Sequence, residues 1–140
     1  MDFEIKPLKG VGAIEFGMTP LEVRNRLGGE FKSFKRSSMA AFPCDYFQSV
    51  GIFAYYRASG ELEALEFASP AQPVLEGANL LSMSFSAAKA FLSSRDSALE
   101  NKGDSAIAHA VGVSVYASTA KKNPMTPCES VLVFAPGYYD

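Results

Sequence analysis

Acid–base and nucleophilic chemistry at neutral pH most often relies on an imidazole beside a hydroxyl, thiol or carboxylate. The chain has one histidine, His109, inside Ala106-Ile107-Ala108-His109-Ala110-Val111. That apolar setting predicts a partly buried, hydrogen-bonded side chain rather than a catalytic base. Paired carboxylates are the other option. Glu61, Glu63 and Glu66 are close in sequence, and a period of two puts Glu61 and Glu63 on one strand face. Beside the turn at Gly60 they read as a solvated edge where catalysis is concerned. As contacts for a protein partner they stand about even with that edge. Gly10-Val11-Gly12 lacks the further glycine and long helix of a dinucleotide site, and no phosphate-loop motif is present. One histidine and scattered acids assemble no standard metal site, and Cys44 and Cys128 lack metal or redox spacing. No cofactor and no enzymatic activity are expected.

Aromatic residues are the feature that remains. There are eleven Phe and six Tyr and no Trp. Tyr46, Phe47, Phe53, Tyr55 and Tyr56 fall on neighbouring strands, whose alternation prevents all of them from pointing inward. Either some tyrosines form an exposed interaction surface rimmed by carboxylates, or a two-layer core carries their hydroxyls at its rim.

Charge is asymmetric along the chain. Residues 1–36 carry seven Lys/Arg against five Asp/Glu, whereas residues 37–80 carry one base, Arg57, against Asp45, Glu61, Glu63, Glu66 and Glu76. An acidic middle repels phosphate and suits a basic partner protein. With a net charge of −2, nucleic acid and anionic membrane are not expected ligands. The start, Met-Asp-Phe-Glu-Ile-Lys, has no basic region followed by an apolar one, and no apolar run approaches a membrane span. A cytoplasmic protein is expected, its two cysteines free thiols or, alternatively, a bridge between halves.

These residues need elements to hold them. At 140 residues the chain fits a single domain with a sizeable core. Gly12–Met18 reads as a short strand. Thr19-Pro20-Leu21-Glu22 is a helix start, with Thr19 as N-cap, Pro20 at the first position and Glu22 completing a capping box. The helix runs over Pro20–Leu27, with Leu21, Val23 and Leu27 inward, Arg24 and Arg26 outward, and Gly28-Gly29 as its stop. Phe31 and Phe34 suit an edge strand. Ile52–Tyr56 and Leu62–Phe67 pair as an antiparallel hairpin about Gly60. Ser69-Pro70-Ala71-Gln72-Pro73 is a connector and the seam between halves.

The second half repeats the plan. Leu80–Phe85 stands where Ala13–Met18 stood, and a helix follows from about Ser86 to Glu100. Val111-Gly112-Val113 echoes Val50-Gly51-Ile52, and Phe134-Ala135-Pro136 echoes Phe67-Ala68-Ser69-Pro70 with one insertion. The fold class is therefore α+β. Two tandem helix-plus-antiparallel-strand repeats, residues 1–70 and 71–140, form a sheet with the helices packed on one face.

The run Gly12-x-Ile14-x-Phe16-Gly17-Met18-Thr19-x-x-Glu22-Val23-x-x-x-Leu27-Gly28 resembles the opening of small helix-plus-sheet modules. They occur in BamE-type outer-membrane lipoproteins, in tandem-repeat β-lactamase inhibitor proteins, and in immunity proteins of bacterial polymorphic and contact-delivered toxin systems. The likeness covers Gly12–Gly28 in the first half and only loosely the second. BamE-type proteins carry a lipidated cysteine after a signal peptide, and the β-lactamase inhibitors are secreted and disulfide-bonded. A cytoplasmic, acidic, duplicated module suits the immunity proteins best. The resemblance implies a protein, monomeric or weakly dimeric, that neutralises a cognate toxin by occluding its active site. The alternative is a secretion chaperone for an exported effector. The motif is structural and carries over no functional residue. The contacts expected from composition are Asp45, Tyr46, Tyr55, Tyr56, Glu61 and Glu63.

Overall fold

The structure, a computed structural model, describes residues 2–35, 38 and 42–139. In chain order its elements are β1 (Asp2–Lys6), β2 (Gly10–Val11), β3 (Ile14–Glu15), α1 (Pro20–Leu27), β4 (Lys32–Phe34), β5 (Cys44–Phe47), β6 (Ile52–Tyr56) and β7 (Leu62–Phe67). There follow β8 (Gln72–Leu75), β9 (Ala78–Asn79), α2 (Phe85–Ser93), β10 (Glu100–Asn101), β11 (Ser105–Ala108), β12 (Val113–Tyr116) and β13 (Ser130–Phe134). Among the described residues the fold is α+β, with mostly antiparallel sheets and two α-helices.

The larger sheet has eight strands in the order β10-β11-β12-β13-β7-β6-β5-β4, and the smaller has five in the order β3-β2-β1-β8-β9. Each helix is thus followed by four strands joined as a meander. The two meanders meet where β13 pairs antiparallel with β7, Val131 opposite Phe67 and Phe134 opposite Ala64. The one parallel pairing among the described residues is β1 with β8, Phe3 opposite Pro73.

Local chemistry explains the first helix. The Glu22 amide donates to Thr19 Oγ1 at 3.3 Å and the Thr19 amide donates to Glu22 Oε1 at 3.1 Å, a complete capping box. Gly28, at φ +67°, ends the helix. Val23 is buried, but Leu21 is 66% exposed, and Arg24 faces protein rather than water.

The second helix is shorter than its expected span to Glu100. Ser94 Oγ and Arg95 Nη1 both donate to the Phe91 carbonyl, and the Asp96 carboxylate accepts from the Ala98 amide, closing a side-chain turn. Serine and aspartate compete with the helix ladder in this way, so the chain leaves it after Ser93. Two further expectations change. Residues 80–82 form a single 3₁₀ turn, capped by Asn79, rather than a strand. The connector at the seam becomes β8 from Gln72 onward.

Two apolar clusters lie on opposite sides of the larger sheet. The main one joins Phe47, Ile52, Ala54, Leu65, Phe67, Val113, Val115, Val131 and Val133 to Val23 of α1, to Phe85, Ala88 and Leu92 of α2, and to Phe3, Ile5 and Val11 of the smaller sheet. The second comprises Cys44, Tyr55, Ala64, Ile107 and Phe134, with Phe53, Leu132 and Tyr138 against it.

Candidate functional site

Strand alternation sorts the sequence-derived candidates between these two sides. Asp45 and Tyr56 belong to the inner side. Asp45 has no exposed surface. Arg24 grips it with Nε to Oδ2 at 2.8 Å and Nη2 to Oδ1 at 2.9 Å, and the Tyr56 hydroxyl donates to Oδ2 at 2.8 Å. A bidentate guanidinium and a phenol satisfy a buried carboxylate. Burial, and then the bond to Asp45, push the Tyr56 phenol far above its ordinary pKa. The bond to Asp45 likewise raises Arg24. Asp45 and Tyr56 are therefore not contacts for a partner; they fasten β5 and β6 to α1.

Tyr46 and Tyr55 lie on the other side. Tyr46 stacks on Phe53 with centroids 4.2 Å apart and planes 17° apart, and Phe53 stacks on Tyr55 at 6.2 Å. Tyr55 is 8% exposed, and its hydroxyl donates to Glu66. The rings present their faces as a ladder across β5 and β6, with Phe34 of β4 edge-on to Phe53 at 6.4 Å. Beyond β7 the row continues through Leu132 and Phe134. The turn after β13 folds back over it, with Tyr138 stacked on Phe134 at 5.8 Å and Tyr139 edge-on to it at 5.0 Å. Tyr116, on β12, is 39% exposed.

Glu61 and Glu63 flank Leu62, and each borders a cavity lined also by Arg57, Ala135 and Pro136. Tyr55 pairs with Ala64 but Tyr56 with Leu62, so a bulge at Glu63 breaks the alternation. Glu61 precedes the strand and accepts from Ser59 Oγ, while Glu63 borders a cavity with Arg57 and Tyr138. The acidic middle of the chain is partly neutralised within the fold, Asp45 by Arg24 and Glu76 by Arg95. His109 has the expected hydrogen bond but not the expected burial. It is exposed, at the turn after β11, with Nε2 2.9 Å from Glu100 Oε1 and its ring against Phe134 and Tyr139.

Cys44 and Cys128 remain thiols, both buried and in different clusters. Burial raises the Cys128 thiol to about 11, so it stays protonated at neutral pH. Among the described residues no group of three or more His, Cys, Asp or Glu is placed to hold a metal ion, and no helix is long and apolar enough to cross a membrane.

Sequence alone does not single out Phe34, Leu132 and Tyr116 for the aromatic side of the sheet, or Arg24 as the partner of Asp45. One signal was present. Val131-Leu132-Val133-Phe134 is apolar without alternation, the pattern of a strand with apolar neighbours on both faces. No family model matches the chain, and no curated protein or solved structure is significantly similar to it.

Proposed function

We propose that this chain is an immunity protein that binds a cognate bacterial toxin through the aromatic side of its larger sheet and occludes the toxin's active site. One observation carries the reading. Among the described residues, every member of the second apolar cluster comes from the larger sheet or the turn after β13, with none from α1, α2 or the smaller sheet. On this reading the helices and the smaller sheet cover one face and leave the aromatic face for a partner. Tyr46, Phe53, Leu132 and Tyr116 are its accessible contacts, with Tyr55 and Glu66 as support beneath and Glu61 and Glu63 at the rim. Rigid aromatic side chains give large contact area with few rotors to order, which suits tight binding.

The proposal includes a duplication, with residues 1–70 and 71–140 as related halves. It is supported by two helix-plus-four-strand units meeting at β7 and β13. It is also supported by Gly51 and Gly112, which hold positive φ of +71° and +68° at equivalent hairpins, each preceded by valine. The reading puts the protein in the cytoplasm, where buried thiols such as those of Cys44 and Cys128 persist.

Co-expression tests it. The product of the gene adjacent to this one should arrest growth alone and be tolerated with this chain, and the two should co-purify. Phe53→Ala, at a partly exposed position, should weaken the complex by roughly 2 kcal/mol while leaving the fold intact. An adjacent product that is harmless, or a toxin indifferent to this chain, overturns the reading. A bound partner held unfolded, as judged by its hydrogen exchange, replaces it with that of an export chaperone.

A further inference from the structure

The larger sheet ends in β4, which pairs with β5 through Lys32, Ser33 and Phe34. Among the described residues no strand pairs its other edge. All three residues are exposed. The exposed edge of a sheet offers unpaired amides and carbonyls to any extended chain that reaches it. At the end of this strand lies a cavity of about 860 Å³, bordered by Gly29, Phe31, Lys32, Tyr46, Gln48 and Ser49, with Glu30. Its aromatic wall is held in place. The Arg24 guanidinium lies 4.3 Å from the Phe31 ring centroid, and Phe31 packs on Phe47 at 5.7 Å. Phe31 nevertheless stays 39% exposed and Phe34 43%.

Charge decides what such an edge accepts. Lys32 and Lys35 are exposed, and neither forms an ion pair among the described residues. Among the described residues the one acid at the cavity is Glu30. A second copy pairing antiparallel about Ser33 would bring two sets of these lysines into one short stretch, where like charges repel. The feature that turns away a second copy favours a strand of opposite sign. We propose that the β4 edge is a docking site for an extended acidic segment of a partner protein, added to the sheet as a further strand with an apolar side chain seated against Phe31 and Tyr46. This edge adjoins the aromatic face, with Tyr46 common to both, and the proposal rests on the edge and its lysines whether or not the immunity reading holds.

The test is selection of short random peptides on the intact protein from a displayed library. Enriched peptides should be rich in Asp and Glu around one or two apolar residues. Their binding should shift the backbone amide resonances of Lys32, Ser33, Phe34 and Tyr46. Methylating alternate amide nitrogens of such a peptide should weaken binding about ten-fold on one phase and little on the other, the mark of strand pairing. The double variant Lys32→Glu, Lys35→Glu changes only exposed side chains and should weaken acidic peptides about ten-fold or more. Failure to enrich any binder overturns the proposal. So does enrichment without acids, or resonance shifts centred on Tyr55, Leu132 and Tyr138. Self-association of the protein through β4 overturns the charge argument.

Discussion

Arg24 and Asp45 are 21 positions apart in sequence and closer than 3 Å in space. Removing one partner of such a pair leaves the other charge stranded, which is costlier than the pair is stabilising. Arg24→Ala, which strands the buried Asp45 carboxylate, should therefore lower unfolding stability by about 3 kcal/mol, read from urea denaturation. Tyr56→Phe, which removes one bond to a charged group, should lower it by about 1.5 kcal/mol. Neither loss is that of a binding contact, so any partner affinity should follow the folded fraction. Asp96 sets a pH dependence. The Ala110 amide, then the Ala98 amide, hold its pKa below the ordinary carboxylate value. Because the folded value is the lower one, its stabilisation is present above the unfolded pKa and is lost as pH falls through the folded pKa. Thr19 acts on Glu22, and His109 on Glu100, in the same direction. The urea midpoint should fall below about pH 4, and Asp96→Asn should flatten that decline.

Among the elements, the hairpin between β5 and β6 depends on Gly51. Its φ is +71°, and a Cβ there would stand 2.3 Å from the Ala68 carbonyl oxygen. Backbone cannot yield as a side-chain tip can, so Gly51→Ala combines strain with a clash. Gly77 has φ +86° but nothing within 4 Å of its would-be Cβ. Thermal denaturation should show Gly77→Ala costing about 1 kcal/mol and Gly51→Ala clearly more, about 3 kcal/mol. The loop between β12 and β13 is also anchored. The Phe85 and Ser86 amides at the start of α2 donate to the Thr126 and Pro124 carbonyls, so a long connection serves as a helix cap.

For the whole molecule, the two sheets interlock the halves. β1 pairs with β8, from beyond the seam, and β7 has β13 as its second neighbour. A fragment of residues 1–70 would expose both unpaired edges and half of the main cluster. Its circular dichroism should lack a cooperative thermal transition, whereas the full chain should show one.

Sequence alone determined what depends on near neighbours. Thr19, Pro20 and Glu22 specified the start of α1 and Gly28 its end, because capping is settled within one turn of chain. Two apolar runs, aromatic-rich in β6, on either side of the Gly60 turn specified the β6–β7 hairpin. The exit from α2 lay in Ser94 and Asp96 but was hidden by an apolar pattern running on to Leu99. Tertiary structure decided which candidates are buried and which stay accessible on the aromatic side of the sheet. Asp45 and Tyr46 are adjacent, yet one is sealed against Arg24 and the other stacks on Phe53 across the sheet. A single position in strand phase separates them, and a bulge at Glu63 resets that phase. Local propensity does not specify which side of a sheet receives a helix, because burial depends on distant segments converging on one side.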